Sequence, residues 1–154
     1  MANKPLLVWG IVLLATFLAA HSLYVQGYNV AWTWIGIAVV INLVNMWVGK
    51  QMKRGPKGTM EMWMSAGIFG LVTTVIVALG YIPVNVVWLM SLWLLLIGGA
   101  MAGGGLVAKN PLGTYTGFVT IIASLFAPGF GGWYLMTGAL FLGGLNIINA
   151  LVSK

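Results

Sequence analysis

KQMKRGPKGTME, residues 50–61, is the only long polar stretch of the chain, and the rest of the sequence is organised around it. Five of the eight charged residues lie in it: Lys50, Lys53, Arg54, Lys57 and Glu61. Long apolar runs flank it on both sides. Loops rich in Lys and Arg remain in the cytoplasm, so a cytoplasmic position for this stretch sets the orientation of every other segment.

The composition indicates a chain that is surrounded mainly by lipid. Mean hydropathy is +1.04, and 61% of the 154 residues are hydrophobic against 5% charged. So few charges do not cover a soluble domain. The net charge of +6 does not indicate nucleic acid, because the basic residues stand at the ends of apolar runs, as topology signals and contacts for anionic lipid do. The chain has no cysteine, which excludes disulfides and thiolate metal sites.

Six apolar runs approach the length of about 20 residues that a membrane span requires. They predict an all-α, polytopic membrane protein with helices at 5–24, 30–49, 60–80, 84–107, 112–127 and 130–152. The fifth run is short, which leaves open whether it crosses fully. With the 50–57 loop in the cytoplasm, Lys4, Lys109 and Lys154 fall on the same side of the membrane as this loop. Both termini are therefore expected on the cytoplasmic side (N-in/C-in) of a cell membrane, inner or plasma. A five-helix alternative would put Lys154 outside. The run after Lys4 is interpreted as an uncleaved helix.

An internal repeat divides this single membrane domain, residues 1–154, into three tandem helical hairpins. The even helices end INLVNMWVGK, GAMAGGGLVAK and LNIINALVSK, each with Val, a small residue and Lys. The odd helices are each preceded by a proline, in NKPLL, RGPKGT and KNPLGT. The hairpins are expected at about 1–50, 51–109 and 110–154.

Polar residues inside the spans are the candidate functional groups. Asn42 with Asn45, and Asn146 with Asn149, are spaced i,i+3, so each pair shares a helix face. They either line a polar constriction for a small neutral solute or form hydrogen bonds between helices. A hydroxyl stripe at i,i+4 on the fifth helix either joins that lining or bonds its own helix carbonyls; it consists of Thr116, Thr120 and Ser124.

His21 is placed near the outer end of the first helix. It is either a haem or metal ligand, a pH-responsive group of the outer face, or an interfacial histidine in contact with water. The chain offers no second His, and its one carboxylate is Glu61, which suits the start of the third helix and pairs with Lys57. No acid/base dyad or metal cluster can be assembled from these residues. We therefore expect neither enzymatic activity nor a cofactor.

Small and aromatic residues predict how the helices pack. Gly99 with Gly103, and Gly113 with Gly117, form GxxxG motifs that permit close helix approach, either within the chain or to another subunit. Aromatic residues near the predicted span ends indicate interfacial belts. These are Trp9, Trp47, Trp63 and Tyr115 at the inner side, and Tyr24, Trp32, Trp34, Tyr81, Trp88, Trp133 and Tyr134 at the outer side.

Two families resemble parts of the chain. The tandem hairpins, with LGYIP, SLFAPGFGG and KGT at 57–59, are similar to the HdeD-type short-repeat membrane proteins; this resemblance implies six helices with both ends inside and a role in acid resistance. PKGT at 56–59 and PLGTYT at 111–116 resemble turns of the urea/amide channel family. In the urea/amide channel family the corresponding turns follow odd helices, whereas PKGT and PLGTYT follow even helices. Ala123 and Ser124 stand where the last glutamate of that family is expected.

The function expected from these features is that of a non-catalytic integral membrane protein. It would be a structural or protective component, or a small accessory subunit of a larger membrane complex, because the chain has few ionisable groups and short predicted loops. Its expected partners are the lipid bilayer and other membrane subunits or further copies of itself, and no nucleic acid. The alternative is a passive channel for urea, an amide, ammonia or water.

Overall fold

The computed structural model describes residues 3–51 and 58–152, which are mostly helical and contain no strand within those ranges. Lys53, Arg54, Lys57 and Lys154 lie outside the described residues. The helices are α1 Lys4–Val25, α2 Val30–Gln51, α3 Thr59–Ala78, α4 Trp88–Val107 and α5 Pro111–Phe126. A 3₁₀ segment, Ala127–Trp133, then leads to α6 Tyr134–Gly138, a π-helical segment Ala139–Gly144 and α7 Leu145–Val152. Residues 134–152 are called the terminal helix below. The expected all-helical class is confirmed.

Asparagine side chains begin three of the helices. Asn3 Oδ1 accepts from the Leu6 amide at 3.2 Å, and Asn110 Oδ1 accepts from the Gly113 amide at 3.2 Å. A proline follows in the first turn of α1 and of α5, where its missing N–H costs no helical bond. Asn29 Oδ1 accepts from the Ala31 amide at 2.9 Å at the start of α2. These caps satisfy backbone donors that helix starts leave free.

Three helices end with the same backbone turn. Gly27, Gly80 and Lys109 have φ values of 80°, 80° and 52° after α1, α3 and α4. In each case the next amide donates to a carbonyl of the last helical turn, as Tyr28 N does to Leu23 O at 3.1 Å. This left-handed turn satisfies the last carbonyls of a helix and reverses the chain. Lys109 is the one of the three that is not glycine.

Five stretches are long and apolar enough to cross a membrane, rather than the six expected. The predicted fifth and sixth runs are joined in one stretch of 42 residues, Pro111–Val152, because the segment with Pro128 and Gly129 forms a 3₁₀ helix. The backbone leaves helical geometry at Gly131, with φ 54° and ψ −128°. Beyond this point the chain folds back, since α5 and α7 are in contact, whereas a straight helix of this length would separate its ends by about 63 Å.

Successive helices run in opposite directions and place two sets of residues at opposite ends of the bundle. The lysine end carries the described residues Lys4, Lys50 and Lys109; there, Asn3 N donates to Ala150 O at 2.9 Å. The opposite end contains the turns after α1 and α3 and the 3₁₀ segment. α4 contacts α3, α5 and the terminal helix, while α1 contacts α2 and the terminal helix.

The outside of the bundle is apolar. Large exposed side chains occur on α1 to α5 and on the terminal helix, among them Ile11, Leu43, Phe69, Leu95, Phe118, Leu125, Leu140 and Ile148. A soluble protein rarely exposes so much contiguous apolar surface. The helices are therefore compatible with a membrane protein.

Candidate functional site

Three tryptophans in the core donate their indole N–H groups to polar atoms of other helices. Trp9 Nε1 donates to Asn45 Oδ1 at 2.7 Å, which joins α1 to α2. Trp93 Nε1 donates to Thr74 Oγ1 at 3.0 Å, which joins α4 to α3. Trp34 Nε1 donates to the Tyr134 hydroxyl at 3.3 Å, which joins α2 to the terminal helix. We call these three hydrogen bonds between six side chains the indole ties.

The indole ties correct part of the sequence interpretation. The sequence places Trp9, Trp34 and Tyr134 in the interfacial belts, yet they are 2%, 0% and 0% exposed. Trp47, Trp32, Tyr81, Trp88, Tyr115 and Trp133 are exposed, as residues of a belt would be. Trp9 shares one helix face with the buried Leu13 and Phe17 at four-residue spacing. That spacing could have marked it as a core residue, but α1 is apolar on all sides, so no polar face reveals which side points inward.

Asn45 of α2 lies near the lysine end, close to residues of α1 and α3. Its Oδ1 must be the acceptor for Trp9, because an indole nitrogen only donates. The ring of Trp63 on α3 meets Trp9 edge to face, with centroids 5.4 Å apart. Gly67 of α3 leaves room for the neighbouring amide of Asn42, since a Cβ there would lie 2.7 Å from Asn42 Oδ1 and 3.4 Å from Asn45 Nδ2. The Nδ2 group itself is buried without a hydrogen-bond partner.

The terminal helix carries a second buried amide of complementary character. Asn146 is 0% exposed, and its Nδ2 donates to Leu142 O at 2.9 Å and to Met101 Sδ on α4 at 3.6 Å. Its Oδ1 is buried without a partner. Asn45 therefore retains a buried donor and Asn146 a buried acceptor. Unpaired groups of this kind normally bind an ordered water or a ligand.

The other predicted polar residues bond within their own helices or are buried. Asn42 Nδ2 donates to Ala38 O at 2.8 Å, and Asn149 is buried. The hydroxyl stripe on α5 is buried and turned onto its own carbonyls. Its bonds are Thr116 Oγ1 to Leu112 O at 2.8 Å, Thr120 Oγ1 to Thr116 O at 2.8 Å, and Ser124 Oγ to Ile121 O at 2.6 Å.

Glycines of α4 and α5 bring these two helices into backbone contact. A Cβ on Gly117 would lie 2.3 Å from Ala102 N, and one on Gly105 would lie 2.5 Å from Thr114 N. Gly113 also faces Gly105, with the nearest α4 atom at 3.7 Å. The predicted Gly99 points away, with nothing within 4 Å, and Gly103 meets Met62 of α3. Within the chain, Gly98 rather than Gly99 meets Gly117, and an approach of Gly99 to another subunit stays a prediction.

The two ionisable residues singled out from the sequence lie at opposite ends. His21 is partly buried near the end of α1, where its ring lies 5.0 Å from that of Trp133. Glu61 is exposed in the first turn of α3, and its predicted partner Lys57 lies outside the described residues. Glu61 is therefore not brought to His21. Within residues 3–51 and 58–152 no group of three His, Cys, Asp or Glu is placed to hold a metal ion.

No known protein family matches the chain. Neither the curated proteins nor the solved structures include a significant match.

Proposed function

We propose that the chain is a non-catalytic integral membrane protein that serves as a structural or protective component or as a small accessory subunit of a larger membrane complex. The observation that carries this proposal is the use of interior polar groups to hold the chain's own helices together. All three indole ties join different helices, and the α5 hydroxyls bond their own backbone. Such groups stabilise a bundle.

The proposed topology has six crossings of the cell membrane arranged as three hairpins, with both termini on the cytoplasmic side. The reversal at Gly131 supports two crossings within residues 111–152. The described lysines support the orientation, because Lys4, Lys50 and Lys109 stand at one end of the bundle. In this topology the lysine end is the cytoplasmic end.

The partners proposed are lipid and other membrane subunits, or further copies of the chain. α2 and α3 support this proposal, because both have exposed apolar faces, and a Cβ added at the exposed Gly36 of α2 would meet nothing within 4 Å. The connections after α1 and α4 are short, which leaves the apolar helix faces as the main contact surface.

Purification from native membrane in a mild detergent, followed by native mass spectrometry, tests the proposed role. We expect the chain to travel in a stoichiometric complex, either with other membrane proteins or with itself. A chain that is monomeric in every mild detergent and in native lipid discs would contradict the subunit role. An unrelated membrane protein, expressed from the same vector and purified in parallel, controls for chance co-purification.

A passive channel for a small neutral solute is the second candidate, and a separate observation favours it. Asn45 Nδ2 and Asn146 Oδ1 are a buried donor and a buried acceptor without protein partners. Water, urea and small amides can satisfy both kinds of group. A path lined by these two amides would require them to face a common wet space.

Stopped-flow uptake of urea and water into proteoliposomes tests the channel. A channel predicts uptake that is faster than in empty vesicles, slowed by Asn45→Leu and unchanged by Met46→Leu, a substitution at the exposed neighbouring position. Uptake equal to that of empty vesicles would eliminate this candidate. Uptake that both variants leave unchanged would also eliminate it, because the solute would then not pass Asn45.

A further inference from the structure

A groove at the opposite end of the bundle is separate from the indole ties and the buried amides. It lies between the last turns of α1 and the 3₁₀ segment and has a volume of about 570 Å³. Its walls include Leu18, His21, Ser22, Val25, Gly132 and Trp133. We call it the His21 groove. A Cβ added at Gly132 would lie 3.7 Å from the Tyr24 ring, in ordinary van der Waals contact.

His21 is a polar side chain that lines this groove. Its Nδ1 is buried without a hydrogen bond, which leaves Nε2 as the nitrogen that a molecule in the groove can reach. A buried N–H without an acceptor is rarer than a buried bare acceptor. The N–H is therefore assigned to Nε2, which makes His21 a donor toward the groove. A molecule bound there would offer an acceptor oxygen.

The surroundings of the groove favour a ligand without net charge. The described charged residues are Lys4, Lys50, Glu61 and Lys109, and all of them lie at the lysine end. A phosphate or carboxylate head group would find no cation beside His21 among the described residues. Charged groups in an apolar setting need such a partner. The acceptor oxygen is therefore expected to be a carbonyl or an ether.

The shape of the groove favours a flat head group with a hydrocarbon tail. Trp133 and His21 both line the groove, with ring centroids 5.0 Å apart and planes inclined by 30°, so they give it an aromatic surface. Trp133 is 64% exposed and Val25 70% exposed, so the groove opens on the apolar outer surface. Aromatic rings pack well on planar partners. A tail could leave between Leu18 and Val25.

We propose that the His21 groove binds the ring of a lipid-soluble quinone. The ring packs beside Trp133, one carbonyl oxygen accepts a hydrogen bond from His21 Nε2, and the tail lies along the apolar surface of α1. This site and ligand go beyond the proposed structural role and do not depend on it. Binding alone is proposed, with no electron transfer by the chain.

Binding of decylubiquinone to the purified protein in lipid nanodiscs tests the site, with isothermal titration calorimetry as the readout. We expect saturable binding of one molecule per chain. His21→Phe keeps a ring and removes the donor, so it should weaken binding about threefold to tenfold. Gly132→Leu should weaken binding further by filling the groove. The control is Trp32→Phe, an exposed position of α2 outside the groove, which should leave binding unchanged.

Three results would overturn the proposal. One is the absence of saturable binding beyond that of empty nanodiscs. Another is binding that neither His21→Phe nor Gly132→Leu weakens, or that the control Trp32→Phe weakens as much as these two variants do. The third is equal competition by 1-decanol, which would indicate a site for the tail rather than for the ring. Circular dichroism and monodispersity of each variant establish that it is folded; if His21→Phe fails to fold, Gly132→Leu and the 1-decanol competition decide.

Discussion

Trp9 and Asn45 join the first two helices through a buried hydrogen bond of 2.7 Å from the indole Nε1 to the amide Oδ1. The bond lies in the core, where Trp9 is 2% exposed. In a lipid-surrounded bundle the hydrophobic effect does little to hold helices together, so packing and interhelical hydrogen bonds carry the association. Loss of one of the three indole ties should therefore lower the free energy of unfolding more than loss of other polar contacts.

Replacing Trp9 tests this directly. Trp9→Phe removes the donor and leaves Asn45 Oδ1 buried without a partner, so we expect the free energy of unfolding to fall by about 1–2 kcal/mol. Thermal unfolding in detergent, followed by circular dichroism, measures the change. Trp47→Phe is the control because Trp47 is exposed. Adding Asn45→Leu to Trp9→Phe should recover part of the loss. Equal losses in Trp9→Phe and Trp47→Phe would contradict the role of the bond.

The bond between Trp93 and Thr74 allows a closer comparison, because two adjacent threonines differ in their contacts. Thr74 is buried and accepts from Trp93 Nε1 at 3.0 Å. Thr74→Val keeps the shape and removes the acceptor, so it should cost about 1–2 kcal/mol of unfolding free energy. Thr73→Val, at the half-buried neighbour, should change it by less than about 0.5 kcal/mol. Similar thermal midpoints for the two variants would refute the assignment.

Gly117 and Gly99 both belong to GxxxG motifs, but their replacement by alanine should change the free energy of unfolding differently. Gly117→Ala places a Cβ 2.3 Å from the Ala102 backbone, so α4 and α5 must separate, at a cost of about 2–3 kcal/mol. Gly99→Ala meets nothing within 4 Å and should leave stability unchanged or raise it by up to about 1 kcal/mol. Unfolding midpoints in one detergent compare the pair. A stable Gly117→Ala variant would mean that the helices are not in backbone contact.

The reversal in the last stretch depends on the conformation of one glycine. Gly131 has φ 54° and ψ −128°, which a residue with a Cβ adopts only with strain. Gly131→Ala should therefore lower the unfolding free energy by about 1–3 kcal/mol. Gly129→Ala is the control, since Gly129 has an ordinary φ and nothing within 4 Å. If both variants unfold at the same temperature, the turn does not need glycine at position 131.

The helix ends are the most predictable part of the fold. The expected runs 5–24, 30–49 and 112–127 agree within two residues with α1, α2 and α5. Their starts are marked in the sequence by asparagine, followed by proline in α1 and α5, and their ends by the point where the apolar run stops. The start of α4 is expected at 84 but lies at Trp88. The Asn85 side chain accepts from the Val87 amide at 3.0 Å and holds the preceding residues in a turn.

The inward faces of the helices are not predictable, for a physical reason. Amphipathic helices reveal their buried side by polar residues on the other, and lipid removes the need for that pattern. Trp9 and Trp34 therefore resemble interfacial residues in the sequence, and Gly99 is as suitable for packing as Gly98. The amides at 45 and 146 can be singled out as polar groups in apolar runs. Their partners cannot, because Trp9 and Met101 are distant in sequence.

The claim that residues 111–152 cross the membrane twice is tested most directly by single-cysteine labelling, and the chain has no cysteine to interfere. A membrane-impermeant maleimide is applied to sealed vesicles of known orientation, with one exposed position replaced at a time: Tyr28, Ala108, Phe130 or Val152. We predict that Ala108→Cys and Val152→Cys react from the cytoplasmic face, and Tyr28→Cys and Phe130→Cys from the other. Labelling of Val152→Cys from the same face as Tyr28→Cys would contradict two crossings and leave five spans.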